Sequence, residues 1–433
     1  MCEDIMSPST LLKRFALAVF LLAGGAVGAG ESPVLTLKAA TEQAVQDNPD
    51  LAEMQARAQA MAAIPPQAGA LPDPMISFNA LNLPVDSFDI RQEPMTQIQV
   101  GISQTIPFPG KLALREQAAA FEAAAALQNV TEARWWLQKN VKTIWWGIFY
   151  LDHALQIIDS NQTLLRQFIQ ITRTKYEVGE GLQQEVLLAQ LELSKLLDQQ
   201  IKFEGSRRNL AAQLNVLLDR PANLEIMLPD SVDEKLPAIM AEAGLYQRAE
   251  SARALLEAQR ENINAAQARL DLAEKDYFPD LDVGAAYGAR DDTLSGQERA
   301  DFLSMRLSVS VPVFLADKQA KAVDQRTSEL MQQRYALQDQ WNQVRGQISQ
   351  AHSDYRRARE QSELFKTGII PQARQTVASM LSGYQVNKVD FLNLLQSQIT
   401  LFNYEMQYWN AFTEAQQALA QLSAVVGQED IYE

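Results

Sequence analysis

Cysteine and histidine are nearly absent: Cys2, His153 and His352 are all that a chain of 433 residues holds. One thiol excludes an internal disulfide, and neither histidine has a second His or Cys at ligand spacing. A Cys- or His-based metal centre is therefore not expected, and each histidine reads as an ordinary packing or surface residue. Net positive charge is missing too. At −15 the chain has no basic run to meet a phosphate backbone, so nucleic acid is excluded as a partner. No nucleophile motif, Gly-rich phosphate loop or metal triad is present, and the carboxylates are scattered, so neither catalytic residues nor a cofactor are expected. Long apolar runs are also lacking. The longest, Phe15 to Leu22, falls short of the roughly 20 residues that cross a bilayer as a helix.

That run has another use. Lys13 and Arg14 precede it, and the small residues Val27, Gly28 and Ala29 follow. Residues 1–29 read as a secretory signal peptide. Their removal takes two acids and two bases, leaving the net charge unchanged, and takes Cys2. An exported chain with no membrane helix can enter a membrane only as strands.

Proline and glycine are missing from one long stretch. Between Lys111 and Tyr176 only Gly147 interrupts a helical pattern rich in alanine. Sixty-odd residues at about 1.5 Å each make a rod on the order of 100 Å long.

The chain is written twice. "LPDPMISFNAL" resembles "FPDLDVGAAYG", and "ISQTIPFPGKL" resembles "LSVSVPVFLADK". "YEVGEGLQQEVLLAQLEL" resembles "YQVNKVDFLNLLQSQITL", and "LNVLLDR" matches "LSAVVGQ". All four pairs keep one order at offsets of 205 to 208, read from Pro107 and Pro312 or Tyr176 and Tyr384. Two repeats, 30–218 and 241–428, are expected, with a Pro- and acid-rich linker at 219–240 and a tail at 429–433. Each repeat reads helix–strand–strand–helix–helix. The helices fall at about 35–63, 111–176 and 182–217, then at 240–276, 317–382 and 389–426. Two shorter helices laid end to end match the long one in length, which suggests a coiled-coil rod or barrel wall.

The strands are expected at about 75–83, 96–106, 280–288 and 302–312. In 96–106, Ile98, Val100, Ile102 and Ile106 share a face opposite Gln97, Gln99, Gly101 and Ser103. In 302–312, Leu303, Met305, Leu307 and Val309 oppose Ser304, Arg306 and Ser308. Alternation alone usually marks a soluble sheet with one dry face. Here the strands have bilayer-crossing length, and polar-face Asp282 and Arg306 suit a wet lumen. Lipid tolerates only a closed barrel, and about eight strands is the bacterial minimum. Four strands per chain therefore require several chains, and three would supply twelve. Pro107, Pro109 and Gly110 after one hairpin, and Pro312 after the other, mark seams where strand gives way to helix.

With those features in place the chain resembles the TolC family of outer-membrane efflux proteins over nearly its whole length. "LPDP…SQTIPFPGKLALRE" and "YQVNKVDFLNLLQSQITLFNYE" resemble the cation- and heavy-metal-efflux branch. That branch often begins its mature chain with a lipidated cysteine, and none stands here. The resemblance implies a mainly α-helical homotrimer. A 12-strand barrel, four strands per chain, sits in outer-membrane lipid and continues into a long periplasmic α-helical barrel. It implies a periplasmic adaptor and an inner-membrane resistance-nodulation-division pump as partners. It also implies tips at the periplasmic end, carrying tunnel entrance and adaptor contact. Tyr176, Gly179, Gly181 and Glu185 stand there in one repeat, Tyr384, Asn387, Lys388 and Asp390 in the other. A plain helical hairpin explains Gly179 and Asn387 equally well; Asp390 additionally suggests a cation-attracting ring. The expected function is a passive exit duct, with metal cations as cargo. A multidrug or type I secretion duct of the same fold is one alternative, and a periplasmic coiled-coil adaptor or structural protein another.

Overall fold

The computed structural model describes residues 34–432, so the expected signal segment and Glu433 lie outside it. Ten α-helices and four strands are described. The first repeat holds α1 (Leu37–Asp47), α2 (Pro49–Ala62), α3 (Ile64–Gly69), β1 (Met75–Leu81), β2 (Gln97–Ile106), α4 (Lys111–Glu177) and α5 (Gln183–Leu217). The second holds α6 (Glu242–Ala252), α7 (Ala254–Lys275), β3 (Asp280–Ala289), β4 (Phe302–Ser310), α8 (Ala320–Leu364), α9 (Ile370–Gln385) and α10 (Phe391–Val426). At 67 residues, α4 is one unbroken helix about 100 Å long.

Three expected helices are interrupted. The run expected at 35–63 breaks at Asn48, because Pro49 pushes the residue before it out of the helical region to ψ 121°. The break is used: the Asn48 side chain accepts from Leu51 N–H at 3.0 Å and donates to Leu217 O at 3.1 Å. The run expected at 240–276 breaks at Arg253, ψ 112°, with no proline to signal it. The run expected at 317–382 is not one helix either. A π-helical turn, Phe365–Ile369, separates α8 from α9. Its cause is Pro371, which has no N–H to donate and widens the ladder before it.

The four strands form one antiparallel sheet in chain order, with Phe78 opposite Val100, Val100 opposite Tyr287, and Tyr287 opposite Leu303. The two faces are inverted relative to a water-soluble sheet. On β2, Ile98, Val100 and Ile102 are 43%, 46% and 53% exposed, while Gln97 and Gln99 between them are 8% exposed. On β4 both faces are open, with Leu303, Met305 and Leu307 on one and Ser304, Arg306 and Ser308 on the other.

Below the sheet the helices pack side by side. Nearest the sheet, α2 and α3 lie on α4, α4 on α7, and α7 on α8. Farther down, α5 lies on α4, α4 on α10, and α10 on α8 and α9. The core is a string of clusters along this rod. One gathers Trp145, Trp146, Phe149, Leu214 and Phe412; another, toward the far end, gathers Phe168, Leu196, Tyr384 and Phe391. The tryptophans are thus helix-packing residues, and Trp145 Nε1 donates to Leu35 O at 2.9 Å.

The segment 219–240 has no regular structure yet is strapped down. Arg207 and Asn215 donate to Ile226 O and Leu224 O at 3.0 and 2.7 Å. Tyr355 donates to Pro237 O at 2.5 Å, and Tyr408 and Lys366 donate to Glu234 at 2.5 and 2.6 Å. Met240 N–H donates to Ile431 O at 3.0 Å, tying in the C-terminal tail.

Candidate functional site

Where strand becomes helix, the first seam is built around a buried ammonium. Gly110 takes φ +94°, a conformation open to glycine, and starts α4. The turn swings Lys111 inward, where its side chain is 4% exposed. Its Nζ donates to Phe278 O at 3.1 Å, to Asp280 Oδ1 at 2.9 Å and lies 3.1 Å from Asp276 Oδ1. Asp280 Oδ1 also accepts Phe108 N–H at 2.7 Å, and the Phe108 and Phe278 rings stack at 4.5 Å. Each contact joins the exit of one hairpin to the entry of the next. The second seam has none of this. After Pro312 the chain passes through a π-helical turn, Leu315–Gln319, with Val313 and Phe314 exposed.

Midway along the rod, Arg253 is fully buried. Its Nη1 donates to Ala424 O, and its Nη2 donates to Glu132 Oε1 at 2.6 Å. Trp136 Nε1 donates to the same Oε1 at 2.6 Å. About 30 Å farther along α4, His153 stacks on Trp409 at 3.8 Å. Burial lowers the His153 pKa, with Asp152, Glu234 and Asp230 partly offsetting it. Burial alone would raise the Glu234 pKa, but the Lys366 and Tyr408 hydrogen bonds and the Lys366 charge bring it below normal.

At the far end the two helix reversals share one geometry. Gly179, φ +80°, and Asn387, φ +57°, occupy the left-handed position. Glu180 N–H donates to Lys175 O at 2.8 Å, and Lys388 N–H donates to Gly383 O at 2.9 Å, the Schellman pattern in both repeats. At Gly181 a side chain would sit 3.0 Å from Lys175 Cβ, so the chain closes tightly there.

The two tips are joined by side chains from both repeats. Lys175 Nζ donates to Tyr384 O at 3.2 Å and Asn387 Oδ1 at 2.5 Å, and lies 4.4 Å from the Tyr384 ring centre. The Tyr384 hydroxyl donates to Glu185 Oε2 at 3.3 Å. Burial, with the Glu185 charge and hydrogen bond, pushes the Tyr384 pKa up to about 12, so it stays a donor throughout the physiological range. The structure therefore brings together Glu185, Tyr384 and Asn387 of the expected tip residues. Tyr176, Gly179, Lys388 and Asp390 are exposed and do not enter the cluster. Lys175 was not anticipated; a lone cation in the last turn of α4, where carbonyls end unpaired, is the signal that marks it.

Among the described residues no group of three or more His, Cys, Asp or Glu is placed to hold a metal, and no helix is long and apolar enough to cross a membrane. Residues 40–219 and 245–428 match the outer membrane efflux protein family, one match to each repeat.

The chain belongs to that family.

It is an outer-membrane efflux channel protein reaching into the periplasm, not an enzyme. A search of curated proteins finds no match. Solved structures share the fold at low identity. The outer-membrane channel OprN is 18% identical, with 90% of this chain and 89% of that chain covered and a TM-score of 0.76. VceC from Vibrio cholerae is 16% identical, with coverage of 90% and 96% and a TM-score of 0.75. CusC, whose description concerns transmembrane channel formation, is 17% identical, with coverage of 90% and 92% and a TM-score of 0.75.

Proposed function

We propose that this efflux protein works as a homotrimeric, passive exit duct for metal cations. An inner-membrane resistance-nodulation-division pump would deliver the cargo through a periplasmic adaptor. The inverted sheet carries the reading. A surface with Leu303, Met305 and Leu307 open and Gln97 and Gln99 covered suits lipid outside and water inside. Strands β1 and β4 each leave an edge unpaired, which hydrocarbon does not tolerate.

Trimerisation has support at three levels. In the sheet the flanks are β1 and β4, just below it they are α2–α3 and α8, and farther down they are α5 and α8–α9. One flank always belongs to the first repeat and the other to the second. Such surfaces suit head-to-tail association that closes a ring. The metal cargo is supported by the resemblance of "SQTIPFPGKLALRE" and the second tip to the cation-efflux branch. We assign the tips, with exposed Tyr176, Val178, Leu182 and Val386, to adaptor contact, and the Lys175–Tyr384–Glu185 cluster to holding the entrance shut.

The test is fractionation followed by challenge. The protein should sediment with outer membranes, require detergent and run as an SDS-resistant trimer. A soluble monomer overturns the duct. A deletion strain lacking redundant ducts should lose tolerance to copper, silver, zinc, cobalt or cadmium salts. Sensitivity to drugs alone reassigns the cargo and leaves the duct intact.

A further inference from the structure

Three strand residues carry charge: Asp280, Asp282 and Arg306. The register puts all three on the polar face. Asp282 lies opposite Thr105 and Ser308, and Arg306 lies opposite Gly284, which lies opposite Ser103. Asp280 is already engaged by Lys111 and by Phe108 N–H. The other two are engaged with each other. Arg306 Nη2 lies 3.2 Å from Asp282 Oδ1, and Thr105 Oγ1 donates to Asp282 Oδ2 at 3.3 Å. The pair is not hidden: the Arg306 side chain is 65% exposed and that of Asp282 31%.

We propose that Asp282 and Arg306 form a charge-compensating pair in the barrel lumen, which keeps that section from favouring cations or anions. The inference rests on the trimeric duct, in which the polar face lines the lumen and three pairs form one ring. Each arginine alone would repel a cation and hold an anion; each aspartate alone would do the reverse. Paired, they leave the strand section close to neutral. A cationic cargo then crosses the barrel without being repelled by Arg306 or trapped by Asp282, and discrimination is left to the periplasmic end. The ring acts on passing ions over about a Debye length. That is about 8 Å at 0.15 M salt and about 30 Å at 0.01 M, so dilute salt exposes the effect.

The measurement is the K⁺/Cl⁻ permeability ratio of the purified full-length protein in planar phospholipid bilayers, from reversal potentials under a dilute KCl gradient. Asp282→Asn should lower the ratio about two- to fivefold, and Arg306→Gln should raise it by a similar factor. The double variant should return to about the wild-type value. A purely structural ion pair would reduce trimer yield without moving the ratio in opposite directions. If a single variant does not assemble, the exchanged pair Asp282→Arg with Arg306→Asp carries the test. It should assemble and keep the wild-type ratio. Unchanged ratios, shifts of one sign, or a double or exchanged variant far from wild type overturn the proposal. Absence of channels in the wild-type protein itself would instead overturn the duct.

Discussion

The two repeats share a plan but differ in what they do with their breaks. Asn48 and Arg253 occupy the same joint, 205 residues apart, where a helix stops and restarts. Both side chains reach the last carbonyls of the helix that closes their own repeat: Asn48 donates to Leu217 O, Arg253 to Ala424 O. Asn48 makes no ion pair; Arg253 continues to Glu132 on α4, in the other repeat. The same asymmetry recurs at either end. Lys111 at the first seam reaches Asp276 and Asp280, while the second seam has no such contact. Tyr384 at one tip reaches Glu185, while its counterpart Tyr176 stands exposed. Duplication supplies a symmetric scaffold. Single-copy charged or polar clasps then hold one repeat against the other at the seam, the middle and the tip.

The middle clasp should matter most. Removing one partner of a buried ion pair leaves a charge with neither water nor counter-ion, a loss of about 3–5 kcal/mol. Arg253→Ala should therefore strip the SDS-resistant trimer or lower its melting temperature sharply. Asn48→Ala, which removes a helix cap, should cost about 1 kcal/mol. Replacing Arg253 and Glu132 together by apolar residues should cost less than Arg253→Ala alone. Equal losses at Asn48 and Arg253 would break the comparison.

The seams come next. Lys111→Met leaves Asp276 and Asp280 without their cation, but both carboxylates are partly open to water. The loss should be about 1–2 kcal/mol, seen in chaotrope denaturation of the detergent-solubilised trimer. Pro312→Ala should fall within about 0.5 kcal/mol, since no cross-repeat contact depends on it.

At the tips the effect is on opening. The Tyr384–Glu185 hydrogen bond is worth about 1 kcal/mol net, so Tyr384→Phe should raise the open-to-closed ratio about fivefold in single-channel recordings. Tyr176→Phe should leave the recordings unchanged. If both variants act alike, the cluster does not hold the entrance and Tyr384 is only packed.

Much of this was legible in the sequence, and the limits have physical causes. Alternation placed the strands to within about two residues because a membrane sheet keeps a strict period of two. The offset of 208 gave the repeats because duplicated turns preserve their spacing. Arg253 was invisible: a break made by a tertiary contact, not by Pro or Gly, has no local signature. Pro371 was visible but its consequence was not, since a single π turn lets a long helix continue past a proline. At the tip, Tyr384 and Glu185 could be named, but not that they touch, because the pairing depends on how two distant hairpins meet.

A smaller effect concerns pH. Burial lowers the His153 pKa below its ordinary value of about 6.5, so the unfolded chain takes up the proton first. His153 costs no stability above about pH 6.5 and increasingly more as the pH falls through that value toward the lower, folded one. The melting temperature should drop more between pH 7.5 and 5.5 in the wild-type protein than in His153→Phe, which keeps the stack on Trp409. Parallel drops would show that the neighbouring Asp152, Glu234 and Asp230 compensate the burial.

At Asp390 the expected change in stability is as small as at Pro312, and there the comparison is sharpest. Asp390 and Leu182 are the N-cap residues of α10 and α5, 208 positions apart, and neither makes a side-chain capping bond. A leucine serves one helix start as well as an aspartate serves the other, so Asp390 is not needed as a cap. Asp390→Ala should therefore leave the melting temperature within about 0.5 kcal/mol of wild type. If the exposed carboxylates form a ring at the entrance, the same variant should lower cation preference in planar bilayers. The two readouts separate the explanations. A destabilisation of about 1 kcal/mol with unchanged selectivity would make Asp390 a helix cap after all. Unchanged stability with lost selectivity would make it a charge kept for the passing ion, at a position where the other repeat carries Leu182.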